Sequence, residues 1–486
     1  MSKAFALGLL VMLGGCTVGP DYQRATPVAP DRWLSTASSP DSALAASPAT
    51  DDVAALAQWW TWFEDPVLNA LIDTALTQNL DLRAAKACVH AARSERRAAQ
   101  AGYGPQVGMS MGSQRLQNPV PGIAPGLTFS LHEVGFDARW ELDLFGRQRR
   151  RVEAASAATE ANQAQLEAVM TVLCAEVARS YWELRAADAQ LVASHEIITL
   201  EGEQERHAAR LAAAGIGSRD AVLAAASRAA EQRAVLIQSE LVRRNAQDQL
   251  ERLLAVAPAK LEQSLLVSDA PLPQFAPRLL LTPAAVLRNR PDIQRAEREL
   301  AAATALKGAA IADMYPRVSL ALFFGLRNTA LSELMAIASK SWSGGSSILQ
   351  PLFDAGRLRA MVDVRDAEIE GALVEYERAM LVALHETESA LTQWLATEHE
   401  RQAFSDSLRQ LETAQCLAEH RRAQGVAADQ EVLMARLAAV TARAQLRRGE
   451  AAVTISTVAV LKALGAGISH DYPAMHASDT ASNTSP

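Results

Sequence analysis

The chain has 486 residues and a formal net charge of −8, with 49% hydrophobic but only 5% aromatic residues. That charge gives no argument for nucleic-acid binding, and a composition rich in Ala and Leu but poor in aromatics favours long helices over a compact aromatic-cored enzyme. No run reaches the ~18 apolar residues that a membrane-spanning helix needs.

The first stretch, "MSKAFALGLLVMLGGC", carries one Lys, an apolar run over 4–13, and then Gly14, Gly15 and Cys16. It has the form of a secretory signal, too short to stay in a bilayer. Leu13, Gly14 and Gly15 before Cys16 resemble the bacterial lipobox. This resemblance implies that 1–15 is a lipoprotein signal peptide and that Cys16 is acylated; the alternative is an ordinary signal with an incidental Cys. Thr17, in place of Asp after the Cys, implies export to the outer membrane. Cys88, Cys174 and Cys416 lie far apart without metal-ligand spacing, and the plainest expectation is small buried residues; a disulfide between two of them stays open.

A first repeat is expected over 65–257. Its opening helix starts at Asp65-Pro66, an N-cap followed by Pro at the first helical position, and ends near Gly102. Strands follow at about 106–117 and 127–145 by their period-two alternation. In the second, Val134, Phe136, Ala138, Trp140 and Leu142 oppose Glu133, Gly135, Asp137, Arg139 and Glu141. A long helix over 147–214 has no Pro, and at 1.5 Å per residue it would run roughly 100 Å. The chain reverses at Gly215 and returns as a helix over 218–255. A Pro-rich linker spans 258–282. The second repeat, 283–465, has the same order: a helix from Thr282-Pro283 to near Asp313, strands at about 317–327 and 342–353, a long helix over 357–424 and a return helix over 428–464. Pro351 is expected to disturb the end of the last strand. A polar tail occupies 466–486.

The duplication is visible in the residues. "NLDLRAA" (79–85) aligns with "RPDIQRA" (290–296), "GPQVGMSMG" (104–112) with "YPRVSLALF" (315–323), "LDLFGR" (142–147) with "LFDAGR" (352–357), and "GIGSRDAVL" (215–223) with "GVAADQEVL" (425–433). All four matches share an offset of about 210 positions, so the chain is a tandem internal duplication.

Each strand carries one apolar and one polar face. Alternation alone does not choose between a soluble sandwich and a membrane barrel. The export signal favours the barrel. An open sheet cannot sit in lipid, and a closed barrel with a lumen needs about eight strands, so several chains must contribute.

These segments, with "GCTVGPDY" (15–22), "WWTWFEDPVLNALIDTALTQNLDL" (59–82), "WELDLFGR" (140–147), "NRPDIQRAE" (289–297) and "PLFDAGR" (351–357), resemble the outer membrane factors, a TolC-like family, in its NodT/OprM-like efflux lipoprotein subgroup. The resemblance implies a fold of α-helix plus transmembrane β. In a homotrimer, four strands per chain complete a twelve-stranded barrel above a long α-helical barrel in the periplasm. It implies an equatorial region built partly from the N-terminal extended segment 16–64. It also implies a passive exit duct for small toxic molecules, outer-membrane localisation, a periplasmic membrane-fusion adaptor, an inner-membrane pump of the resistance–nodulation–division class, contact with outer-membrane lipid, no enzymatic activity, and no cofactor beyond the lipid on Cys16. Alternatives are a type I protein-secretion duct, a non-pore coiled-coil scaffold lipoprotein, or an envelope hydrolase.

The resemblance also places roles on residues. The reversals would be periplasmic tips that meet the adaptor, with Gly215 and Gly425 as left-handed helix ends and Ser218 as an N-cap. Asp220 and Asp429 are candidate gate acids, Arg219 pairing with either; the alternative is that the acids only complement a helix N-terminus. Ala427-Ala428 depart from the Ser the family often has there. Gly146 and Gly356 are expected pivots between strand and helix. Arg147, Arg149, Arg150 and Arg151 suit either lipid phosphates or a solvated first turn. His385-Glu386 lacks the second His of a zinc helix, and His470 and His476 sit in the polar tail, so no metal is expected.

Overall fold

The computed structural model describes residues 17–24, 29–35, 49–50, 56–118, 127–258, 260–261 and 280–467. The expected signal peptide 1–15, Cys16, most of the linker, and the tail with His470 and His476 lie outside the described residues. In chain order the elements are β1 (Ala49–Thr50), α1 (Pro66–Gln78), α2 (Leu80–Ala101), β2 (Gln106–Asn118), β3 (Leu127–Leu142), α3 (Arg147–Ala213), α4 (Arg219–Leu253), β4 (Leu280–Leu281), α5 (Pro283–Asn289), α6 (Pro291–Ala312), β5 (Arg317–Asn328), β6 (Lys340–Leu349), α7 (Arg357–Ala423) and α8 (Asp429–Ala463). None of the described helices is long and apolar enough to cross a membrane.

The described residues form two compact units: those within 1–25, 87–163 and 294–378 in one, and those within 26–86, 164–293 and 379–486 in the other. Each unit draws on both halves of the duplication, because equivalent elements of the two repeats fold into the same unit.

The first unit holds an antiparallel sheet of order β2-β3-β5-β6. Each half supplies a hairpin, and the β3–β5 ladder joins them. The register aligns Met109 with Phe136, Phe136 with Phe324, and Phe324 with Trp342. These four form one cross-strand apolar row, yet they are 71%, 56%, 64% and 77% exposed. On the opposite face Glu133 lies across from Arg327 and pairs with it at 3.0 Å. Gly135 and Gly325 face each other there, and the Phe323 ring fills the space their missing Cβ atoms leave, under the Arg327 guanidinium 3.9 Å from the ring centre. The sheet therefore has an exposed apolar face and a charged, hydrogen-bonded one.

Several boundaries differ from the sequence reading. β3 stops at Leu142 rather than 145, because Asp143 turns its carboxylate onto the start of α3. β6 spans Lys340–Leu349 rather than 342–353: Pro351 has no N–H for the ladder, and just past the strand the Gln350 side-chain Nε2 donates to the Met314 carbonyl at 3.0 Å. The helices expected over 65–102 and 283–313 are each two helices. Pro291 drives Arg290 into extended backbone. Asn79 breaks the first by capping: its Oδ1 accepts from the Leu82 N–H at 2.9 Å, and its Nδ2 donates to the Leu253 carbonyl at 2.9 Å. Arg290 does the equivalent work in the second half, donating to the Ala463 carbonyl at 2.9 Å. Two unlike side chains thus satisfy the open carbonyl ends of α4 and α8.

The second unit has the aromatic core that the composition argued against. Trp59, Trp60, Phe63, Tyr181 and Trp182 are buried, with edge-on or tilted neighbours such as Phe63–Trp182 at 5.4 Å and Tyr181–Trp182 at 4.8 Å. Few aromatics suffice because they are concentrated here, each pair adding ~1 kcal/mol beyond its area. Asp65 ties this core to α1: it accepts from the N–H groups of Val67 and Leu68 and from the Tyr181 hydroxyl at 2.8 Å, with Arg185 at 3.5 Å. The parallel pair β1–β4 joins the N-terminal segment to the start of α5, and the Trp33 indole donates to the Leu281 carbonyl at 2.8 Å. Neither two-residue strand has a sequence signature.

Candidate functional site

The strand-to-helix turns are built alike. Asp143 accepts from the N–H groups of Gln148 at 3.0 Å and Arg149 at 2.9 Å. Asp354 accepts from Gly356 at 3.1 Å and Leu358 at 2.9 Å. Each carboxylate satisfies orphan donors of a long helix. Between carboxylate and helix the chain turns through a left-handed glycine, Gly146 at φ +84 and Gly356 at φ +88. The two differ in surroundings. A Cβ on Gly146 would stand 2.7 Å from the Thr17 methyl, whereas one on Gly356 would meet open space. Sequence reasoning found the glycines and missed the aspartates, although "LDLFGR" and "LFDAGR" display both.

The basic run is mostly paired. Arg147 bonds Glu141 at 2.6 Å, Arg149 lies 3.4 Å from Asp143, and Arg150 is buried against Asp21 and Glu153. Only Arg151 fits a solvated first turn.

At the first reversal, Gly215 is left-handed at φ +71, and the N–H groups of Ile216 and Gly217 return to the Leu211 carbonyl at 3.1 and 3.0 Å. Ser218 caps α4, accepting from the Ala221 N–H at 3.1 Å. At the second, Gly425 lies at φ +77 and the Val426 N–H donates to the Arg421 carbonyl at 2.9 Å. Ala428 has no side chain to cap α8. Asp429 pairs with Arg422 and Glu431 with Arg421 at 2.7 Å, fastening the last turn of α7 to the first of α8. The expected pairing of Asp429 with Arg219 is therefore corrected: Arg422 lies on the adjoining helix and reaches it first. The Arg422 hydrogen bond holds the Asp429 carboxyl below the usual aspartate range, with His207 and Arg210 adding to the effect. Among the described residues, Arg219 and Asp220 have no ion-pair partner. Ile216 and Val426 are exposed apolar residues at these turns.

A polar set on three helices, with Glu201 and Gln204 buried under the more exposed Arg228 and Met434, was not expected from sequence. Arg228 on α4 reaches Glu201 at 3.3 Å and Gln204 at 3.4 Å on α3, and Gln204 donates to the Met434 sulfur on α8 at 3.4 Å. The three cysteines are free, and Cys88 and Cys416 are exposed, against the expectation of burial; Cys174 alone is buried, which pushes its thiol up to about 12. No group of His, Cys, Asp or Glu among the described residues is arranged to hold a metal. Glu386, beside His385, is engaged by Arg290 at 2.8 Å. Cys16 lies outside the described residues.

A family model described as "Outer membrane efflux protein" matches residues 71–256 and 282–466. The chain is 31% identical over 470 residues to the solvent efflux pump outer membrane protein SrpC of Pseudomonas putida, covering 96% of this chain and 98% of that one. It is 28% identical over 448 residues to nodulation protein T of Rhizobium leguminosarum bv. viciae, covering 90% and 88%. Among solved structures it superposes on the outer-membrane channel OprN with a TM-score of 0.81 at 32% identity, over 93% of this chain and 99% of that one. It also superposes on the open MtrE outer membrane channel of Neisseria gonorrhoeae with a TM-score of 0.75 at 26% identity, over 93% and 98%. The matched stretches take in most of the chain and run through both repeats, and the chain belongs to the outer membrane efflux protein family.

Proposed function

We propose that this chain is the outer-membrane exit duct of a tripartite efflux system, conducting small toxic molecules passively from a periplasmic adaptor and an inner-membrane pump of the resistance–nodulation–division class to the outside. The observation that carries this reading is the four-stranded sheet with an exposed apolar face, a polar opposite face, and edge strands β2 and β6 that each have a single partner among the described residues. In water such a face is a liability, and in lipid such edges leave backbone groups unsatisfied. Pairing β6 of one chain with β2 of the next satisfies the edges, and lipid against the apolar face removes it from water. Three copies give twelve strands, with the apolar rows toward lipid and the Glu133–Arg327 face toward a wet lumen.

The long helices would then line the periplasmic tunnel, and the turns at Gly215 and Gly425 would be its tips. Exposed Ile216 and Val426 suit an adaptor contact, with Ser218, Arg219, Asp220 and Asp429 around them. Asp220 is the better candidate for a gate acid, because Asp429 is already neutralised by Arg422. A lipid on Cys16 would anchor the chain. The cargo class follows the relatives, whose names carry solvent, toluene and antibiotic efflux. Current recording from the purified protein in a planar bilayer tests the duct; discrete, stable conductance steps are expected.

A further inference from the structure

The residues that follow Cys16 are held in a socket within the sheet-bearing unit. The Arg150 side chain, only 3% exposed, extends from the first turn of α3. It donates to the backbone carbonyls of Val18 at 3.3 Å and Gly19 at 3.2 Å, pairs with Asp21 at 2.6 Å, and is steadied by Glu153 at 2.8 Å. Gly19 sits at φ +92, and a Cβ there would stand 2.5 Å from the Gly308 Cα, so the segment lies directly on the backbone of α6. The Val18 N–H donates to the Phe145 carbonyl at 3.2 Å, and Thr17 covers Gly146. Further on, the Tyr22 hydroxyl donates to the buried Glu297 at 3.1 Å, with the Arg298 guanidinium 5.5 Å over its ring. Burial and then Glu297 push that phenol up to about 12, so it stays a donor.

This is an unusual way to seat six residues. The segment brings little apolar surface, and burying a guanidinium is costly unless every donor is used. Arg150 is nonetheless buried, and what it grips is main chain and one carboxylate at the start of the mature chain. Such a contact fixes position. Unseated, residues 17–22 would let an anchor range over as much as ~20 Å, a large part of the ~30 Å hydrocarbon thickness. Seated, Thr17 is held against the turn where β3 ends, and the preceding Cα is only ~3.8 Å further.

We propose that Arg150 is a positioning residue for the lipid anchor: by gripping Val18, Gly19 and Asp21 it seats Thr17 on the Gly146 turn, so that a lipid on Cys16 enters the membrane beside the strand-to-helix junction. This rests on the acylation of Cys16 proposed above. The seated anchor raises the local concentration of the sheet at the bilayer surface, and so favours strand insertion.

The test compares two backgrounds in the full chain: the acylated protein, and a Cys16→Ala chain behind an ordinary cleavable signal. Alkali-resistant integration into the outer membrane is measured, with far-UV circular dichroism to check folding and mass spectrometry of the N-terminal peptide to check acylation. Arg150→Gln is expected to lower integration severalfold in the acylated background and to cause no further loss in the Cys16→Ala background. Gly19→Val, which lies outside the helices and lifts the segment off Gly308, is expected to behave the same way. Equal losses in both backgrounds, or no loss in either, would overturn the proposal and leave Arg150 a residue of the fold. An unacylated Cys16 in the wild-type chain would overturn the acylation reading itself, and this inference with it.

Discussion

The two strand-to-helix turns differ in what covers their glycines, and that cover predicts unequal sensitivity. Gly146 and Gly356 have nearly the same backbone, but Gly146 is covered by Thr17 and Gly356 faces open space. Gly356→Ala should cost about 1–2 kcal/mol for a left-handed backbone alone. Gly146→Ala should cost more, since it adds the displacement of Thr17, and the larger Gly146→Val should reduce assembly before it affects adaptor binding. Thermal unfolding in detergent and the yield of heat-modifiable oligomer measure both; equal losses at the two glycines would contradict the contact. At the second reversal, the Asp429 carboxyl is depressed by Arg422, so its contribution is present above the ordinary aspartate pKa of about 3.9 and is lost only as pH falls through the still lower folded value. A spin label at Ala427 should therefore keep its mobility between roughly pH 8 and 5, while Asp429→Asn should loosen the turn throughout. Loosening of the wild-type turn near neutrality would contradict this. The pair is exposed, so the effect is local rather than on global stability. Glycine turns and caps were legible because few residues adopt such backbones. The Arg150 grip was not, because its partners lie far away along the chain and no spacing announces them.

Strands and long helices were legible for different reasons. Period-two alternation marks the strands, and the lack of Pro over 147–214 and 357–424 marks the helices. The breaks at Asn79 and Arg290 were passed over. Pro291 was a usable signal for the second; the first hides in Asn-Leu-Asp, whose capping shows only once the Leu253 carbonyl is brought to it. The sheet itself offers a test of which face meets lipid. Leu322 and Ala321 are neighbours on β5 with opposite facings. Leu322→Arg should lower membrane integration by an amount corresponding to ~2–4 kcal/mol if it lies near mid-bilayer, whereas Ala321→Arg, on the wet face, should be tolerated. Alkali extraction of membranes from the two variants makes the comparison, and the opposite order would assign the faces the other way round.

At the level of the molecule, duplication explains why each compact unit takes pieces from both halves. The repeat was legible through its constant offset. The buried aromatic cluster was not, because an average over the whole chain conceals how Trp59, Trp60 and Phe63 come together with Tyr181 and Trp182 from over a hundred positions away. The exposed apolar rows and the edges with a single partner among the described residues are the basis for the proposed completion of the sheet by further copies. The measurement that tests this most directly is current through a planar bilayer after addition of the purified, detergent-solubilised protein. Discrete, long-lived ohmic steps of uniform size are expected from an oligomer of identical chains; a bilayer that stays silent while the same protein runs as a folded monomer would contradict the duct.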